Sequence, residues 1–276
     1  MPIMSSTAPA SPLLPSSGLP GEFIGIFDSG AGGIGVLARA RSLMPAEDFV
    51  YYGDSANTPY GEKPNEWVVE RSRSLADALI GRGAKAVVIA CNTATAAAAA
   101  LLREEYPTTP ILGIEPALKP AAQLPGPGRI LVMATPMTLK LDKYHRLSEQ
   151  WGRSCEVFDV ECPGLAARIE RGDLGGADLR AMVEGFIGPY AGRVDAVVLG
   201  CTHYPFIAPL IRSVVGDVPL FDGAPGTAAH LQATLEQRGA LRGPEAGGGR
   251  VVFLSSDGEA STLERYRGFL AEASLL

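Results

Sequence analysis

Two cysteines stand in matching settings. Residues 86–93 read AVVIACNT, and residues 196–203 read AVVLGCTH. In each stretch four apolar residues lead to a small residue, then to Cys91 or Cys201, then to two polar residues. A buried strand that ends on a thiol, with a helix after it, explains both patterns. One such cysteine is commonly just a small core residue. Two in equivalent surroundings, beside amide, hydroxyl or imidazole groups, are harder to explain by packing.

Paired thiols suit one chemistry in particular. Inverting a stereocentre by proton transfer needs a base on one face and an acid on the other, and the roles exchange in the reverse direction. Matching residues are then expected, one as thiolate and one as thiol. A free thiol titrates near pH ~8.5, and a helix N-terminus brings it closer to neutrality. Asn92 or Thr93 is expected to cap the helix after Cys91, whose N-terminus would then lower the thiol pKa. Asp28 near one thiol and His203 near the other would orient or assist each transfer. Fixed amides and hydroxyls would stabilise the carbanion. Three other readings stay open: two core thiols, a Cys91–Cys201 disulfide that disables both, and a metal site of Cys91, Cys201 and His203 that lacks an evident fourth ligand.

The elements that must position these groups alternate along the chain. A strand at 23–27 runs into Asp28-Ser29-Gly30-Ala31-Gly32-Gly33, and a helix follows at 34–43. A carboxylate at such a strand end lies where open α/β sheets build their sites, although capping the next helix is the plain alternative for Asp28. A strand at 49–52 leads into the polar loop 53–61, shaped by Pro59 and Gly61. Further strands are expected at 87–90, 111–114, 130–133, 156–160, 196–199, 218–221 and 251–255. Helices are expected at 67–82, 93–105, 139–150, 165–171, 179–190, 205–215, 228–238 and 263–273, with a crossover turn at 123–128. Thr135 and Thr138 stand where one strand meets its helix, and Glu170 lies on the helix at 165–171. Short apolar strands alternating with helices predict parallel sheets covered on both faces.

The 276 residues allow a substantial core and sit near the size at which one core divides into two. The duplicated cysteine unit predicts two such domains, residues 22–115 with 226–276 and residues 116–225, with the last strand and helix returning to the first. The first 21 residues, rich in Pro, Ser and Ala, are expected to be a disordered tail. The net charge of −6 gives no electrostatic case for nucleic acid or an anionic membrane. No apolar run approaches the ~20 residues of a membrane helix, and the N-terminus lacks a signal-peptide pattern. Four cysteines without a CxxC fit reduced thiols in a cytoplasmic protein.

Five blocks carry a resemblance. IGIFDSGAGGIGVL (24–37), YYGDSANTPYG (51–61), ACNTATA (90–96), GIEPA (113–117) and LGCTHYPF (199–206) occur in order. Together they resemble bacterial glutamate racemase, within the aspartate/glutamate racemase superfamily, from about residue 22 onward. The resemblance implies two pseudo-symmetric three-layer α/β domains with mainly parallel sheets and an active site in the interdomain cleft. It implies cofactor-independent interconversion of L- and D-glutamate, without pyridoxal phosphate or metal, supplying D-glutamate for peptidoglycan. It makes Cys91 and Cys201 the acid/base pair, Asp28 and His203 their assistants, and Glu170 a further carboxylate of the site. Asp28, Ser29, Tyr60, Gly61, Asn92, Thr93, Thr202 and His203 would hold the amino acid, and Thr135 and Thr138 its carboxylates. The chain departs from the family pattern at Leu141, where a serine is usual, and at Gly164-Leu165-Ala166-Ala167, where bulkier apolar residues are. An aspartate racemase and a ligand-binding homologue without the chemistry are the alternatives. The only partner expected is the small-molecule substrate, with oligomeric state open, a homodimer included.

Overall fold

The structure is a computed structural model that describes residues 13–15, 17–125, 128–151 and 155–274. In its first part β1 (Phe23–Asp28) leads to α1 (Ile34–Leu43), and β2 (Phe49–Gly53) leads to α2 (Asn65–Gly81). Then come β3 (Ala84–Ile89), α3 (Asn92–Glu105), β4 (Ile111–Gly113) and α4 (Leu118–Ala122). The second part runs β5 (Arg129–Ala134), α5 (Pro136–Lys140), α6 (Asp142–Trp151), β6 (Glu156–Glu161), α7 (Leu165–Glu170) and α8 (Ala177–Ile187). It continues through β7 (Ala196–Leu199), α9 (Ala208–Val215) and β8 (Leu220–Asp222). The chain closes with α10 (Ala224–Gln237), β9 (Val251–Ser255) and α11 (Ala260–Ala273).

The strands form two parallel sheets, ordered β4-β3-β1-β2-β9 and β6-β5-β7-β8. Read from its other edge, the second sheet is β8-β7-β5-β6. That is the order β4-β3-β1-β2 repeated four strands later, with β9 added at the edge of the first sheet. The two halves are therefore wound alike, and β3 and β7 occupy the same place in each. This is the fold class the sequence predicts, and β9 pairs with β2 at the edge of the first sheet. In both sheets the strand order reverses beside the first strand of the half, between β1 and β3 and between β5 and β7. Open α/β sheets bind ligands at the C-terminal ends of strands at such a switch point.

Both cysteine-bearing strands are buried along most or all of their length, as near-continuous apolar runs require. Their helices differ from expectation in detail. The cap of α3 is Cys91 itself, extended at φ −108° and ψ 124°, so neither Asn92 nor Thr93 caps it. The helix expected at 139–150 is two helices meeting at Leu141, whose extended backbone breaks the run. Near 205 a short 3-10 turn, Tyr204–Ile207, precedes α9. The expected crossover turn at 123–128 lies partly outside the described residues. So does most of the expected disordered tail, although Leu14 is buried in one core cluster with Phe23 and Val50. Among the described residues no helix is long and apolar enough to cross a membrane.

Candidate active site

Cys91 and Cys201 wall the same small cavity. Cys91 stands two residues beyond the end of β3 and Cys201 two beyond the end of β7, so each sheet contributes one thiol. Both cysteines are free, as are Cys155 and Cys162, which leaves no disulfide between them. Among the described residues no group of three or more His, Cys, Asp or Glu is placed to hold a metal ion.

Most of the other residues singled out in the sequence lie on this cavity. Ser29, Tyr60, Gly61, Asn92, Thr93, Thr135, Thr138, Thr202 and His203 line it. Three hydroxyls form a closed triangle: Thr93 to Thr135 at 3.2 Å, Thr93 to Thr138 at 3.2 Å and Thr135 to Thr138 at 3.0 Å. Thr93 comes from α3, Thr135 is the N-cap of α5 and Thr138 lies in its first turn, so the triangle joins the halves. Asn92 Oδ1 is buried there without a hydrogen-bond partner. Tyr60 turns its hydroxyl away from the cavity and donates it to Asp54 at 2.5 Å.

Asp28 and Glu170 are not in the cavity wall but directly behind it. Asp28, fully buried, accepts from the Gly30 amide at 2.8 Å, Ser29 Oγ at 3.3 Å and Thr202 Oγ1 at 3.0 Å. It does not cap α1, whose N-cap is Gly33 with no side-chain bond. Burial raises its carboxyl to about 6, and the charge of Glu170 adds to this, against lowering by His203 and the hydrogen bonds. Glu170 accepts from the Ala31 amide at 2.7 Å and Ser55 Oγ at 2.8 Å, and pairs with His203 Nε2 at 2.7 Å. The Gly-rich turn makes this approach possible. A Cβ on Gly30 would meet Glu170 Oε2 at 2.4 Å, and one on Gly32 would meet Thr202 Oγ1 at 2.4 Å.

The two thiols have different neighbours. Cys91 Sγ lies 3.9 Å from Ser29 Oγ, and its pKa rises to about 12. Burial is the main cause and the Asp28 charge the next, while the Ala94 amide in the first turn of α3 opposes them. The expected lowering by the helix N-terminus is therefore present but outweighed, because one amide dipole is weaker than loss of water around the whole thiolate. Cys201 Sγ faces His203 Nδ1 at 3.7 Å. Burial alone would lower the His203 pKa, but its hydrogen bonds to Cys201 and Glu170 win and hold it well above 6.5. Glu170 is held below its ordinary value of 4.5, its pairing with His203 overcoming burial. His203 thus sits between the Glu170 carboxylate and the Cys201 sulfur, both of which favour its protonated form.

Several supporting groups escaped the sequence reading. Ser55 lay unremarked in a polar loop, and Tyr51, whose hydroxyl donates to the Gly30 carbonyl at 2.6 Å, read only as strand. Arg71 and Asp54 form a two-pronged ion pair at 2.6 and 2.7 Å. The only local signal for it was an aspartate in a turn and an arginine on a helix 17 residues later.

The family model described as Asp/Glu/Hydantoin racemase matches residues 34–233. A glutamate racemase of Clostridium perfringens is 48% identical over 216 residues, which is 78% of this chain and 83% of the relative. The crystal structure of glutamate racemase from Francisella tularensis, in complex with D-glutamate, superposes with a TM-score of 0.79 at 27% identity, over 91% of this chain and 94% of that one. The Thermus thermophilus glutamate racemase, in complex with beta-chloro-D-alanine, gives 0.72 at 34% identity, over 93% and 94%. With this sheet order, this cavity and these likenesses, the chain belongs to the Asp/Glu/Hydantoin racemase family, among its glutamate racemases, and is an isomerase by class.

Proposed function

We propose that the protein interconverts L- and D-glutamate by passing the α-proton between Cys91 and Cys201. The observation that carries this reading is one cavity walled by two thiols, each brought by a different sheet and each with its own ionisable assistant. Glutamate as substrate is supported by the likeness to glutamate racemases, one of which holds D-glutamate.

One thiol enters as thiolate and takes the α-proton. The electron pair of the broken C–H bond stays on the α-carbon and spreads into the adjacent carboxylate. The other thiol gives its S–H proton to the opposite face and becomes the thiolate. The enantiomer leaves, and the two sulfurs have exchanged protonation states. Matching residues are what a reaction with this symmetry needs. Neither a cofactor nor a metal enters the reaction as proposed.

The rest of the site serves this exchange. The hydroxyls of Thr93, Thr135 and Thr138, bonded to one another at 3.0–3.2 Å, can turn to donate together to a substrate carboxylate. Asn92 Oδ1, without a partner, can accept from the α-ammonium. Ser29, Thr202, Tyr60 and Gly61 complete the walls. The α-ammonium also answers the high pKa of Cys91. A cation entering beside Asp28 offsets the charge that, with burial, holds the thiol up. At Cys201 the His203 imidazolium stabilises the thiolate or returns its proton. D-Glutamate made in this way would feed peptidoglycan synthesis from the cytoplasm, the use the family resemblance implies.

The test is to incubate the purified protein with L- or D-glutamate in heavy water, with aspartate as a control. Loss of optical activity with deuterium appearing at the α-carbon of glutamate is expected. No deuterium in either enantiomer would sink the racemase reading, and exchange confined to aspartate would change the substrate.

A further inference from the structure

We propose that Ser55 and Tyr266 are positioning residues for the Cys201 half of the reaction, acting through Glu170 on His203. The inference rests on the two-thiol reading above and extends it to the C-terminal helix.

Tyr266 on α11 places its hydroxyl 2.6 Å from Ser55 Oγ, and Ser55 Oγ lies 2.8 Å from Glu170 Oε1. Glu170 Oε2 meets His203 Nε2 at 2.7 Å, and His203 Nδ1 faces Cys201 Sγ at 3.7 Å. A continuous line of polar contacts therefore runs from the last helix to the thiol. Its direction follows from counting protons. An ionised carboxylate only accepts, so Ser55 must donate to Glu170. A serine has one proton, so the contact between Ser55 and Tyr266 must be donated by the tyrosine. Two hydroxyls in series thus point their protons toward one buried negative charge, an arrangement in which each bond polarises the next.

The path is built into the backbone. Tyr266 is fully buried, its ring edge-on to Tyr51 at 5.6 Å and 85°. A Cβ on Gly53, at the end of β2, would lie 1.9 Å from the Tyr266 hydroxyl, so only a glycine lets the phenol reach Ser55. Packing alone would be served by phenylalanine. The hydroxyl is what needs the gap. Glu170 Oε2 already takes the Ala31 amide at 2.7 Å as well as His203, whereas Oε1 takes Ser55. Without that donor the carboxylate is free to turn, and His203 loses its fixed angle to Cys201.

The experiment compares Tyr266→Phe and Ser55→Ala with the unsubstituted protein, using α-protiated and α-deuterated L- and D-glutamate. Both variants are expected to lose about tenfold in kcat with KM changed less than about twofold. The primary deuterium effect on kcat/KM is expected to rise for the enantiomer that Cys201 deprotonates and to fall for the other, because only one of the two proton transfers has slowed. A purely structural role would move both effects alike or neither, and either result overturns the inference. If Tyr266→Phe does not fold, a wild-type deuterium pattern in Ser55→Ala overturns it equally. If the unsubstituted protein does not racemise glutamate, the two-thiol reading falls and takes this inference with it. Racemisation with an unmoved deuterium pattern removes this inference alone.

Discussion

His203 and Glu170 meet at 2.7 Å inside the protein, with side-chain exposures of 1% and 7%. The carboxylate, held below its usual range, keeps the imidazole charged against burial. The pair therefore carries charge to Cys201 without exposing it to water. Glu170→Gln leaves the Ala31 and Ser55 contacts feasible but removes the counter-charge. The variant should lose about 3 kcal/mol of stability at neutral pH, since breaking a buried pair strands the partner. A raised histidine contributes stability that is full below its unfolded value near 6.5 and is lost as pH rises through the folded value. The deficit in the variant should therefore be larger at pH 6 than on the alkaline side. Denaturant unfolding at both pH values measures it, and a pH-independent deficit would contradict the charged pair.

Cys91→Ser and Cys201→Ser each replace a thiol by a hydroxyl of similar shape that ionises far less readily. Either should cut racemisation by more than about a thousandfold. Each variant keeps one thiol. In heavy water it should still wash deuterium into one enantiomer faster than it inverts it, and the favoured enantiomer should differ between the two. Proton NMR of the α-position follows both processes. Near-wild-type turnover in either variant would remove the two-base assignment.

Asp28 is a buried carboxylate whose folded pKa of about 6 stands above its ordinary 3.8. The sign is fixed by this order. Below about 3.8 both states are protonated and burial costs little; between about 3.8 and 6 the unfolded chain has ionised while the folded one keeps its proton, so stability falls across that window and stays low above it. Asp28→Asn can keep the acceptor for the Gly30 amide while shedding that charge. It should be more stable than the natural chain at pH 7, by up to about 3 kcal/mol, and indistinguishable near pH 4. Its kcat/KM should drop sharply, and the acid limb near pH 6 should vanish from its profile. Thermal unfolding at the two pH values, with initial rates from pH 5 to 8, tests both halves. A variant less stable at pH 7 would show that the Thr202 bond outweighs the burial cost.

Several candidate site residues were legible because they sit at strand ends. Asp28 ends β1, and Cys91, Thr135 and Cys201 follow β3, β5 and β7; an apolar run that stops at a polar residue marks such a position in the sequence alone. The repeated winding was legible for the same reason, through two nearly identical runs. What the sequence did not carry was pairing across distance. Glu170 and Ser55 are 115 positions apart, and Ser55 and Tyr266 are 211 apart. No local pattern records which hydroxyl reaches which carboxylate. The pKa of Cys91 was misjudged in sign because a helix N-terminus is visible in sequence whereas the depth of burial around it is not. The break at Leu141 has no local mark, because neither a proline nor a glycine stands beside this extended residue.

Arg71 and Asp54 hold the loop that closes one wall of the cavity. Asp54 has no side-chain exposure, and it takes Arg71 at 2.6 and 2.7 Å, Tyr60 at 2.5 Å and Asn57 at 3.0 Å. Burial would raise its pKa, but these bonds, Arg71 first, hold it below the ordinary 3.8. Arg71→Met keeps much of the side-chain volume and strands the carboxylate. The expected cost is about 3 kcal/mol, of which a second change, Asp54→Asn, should restore a part. A depressed carboxylate contributes stability that is present above its unfolded value of 3.8 and is lost only as pH falls below it through the folded value, so the cost of Arg71→Met should shrink only on acidification below about pH 3.8. Because Tyr60 and Gly61 line the cavity, the loosened loop should raise KM for glutamate by about tenfold and leave kcat within about twofold. Steady-state rates in both directions measure the split, and a fall in kcat at unchanged KM would show that the loop sets the thiols and not the substrate.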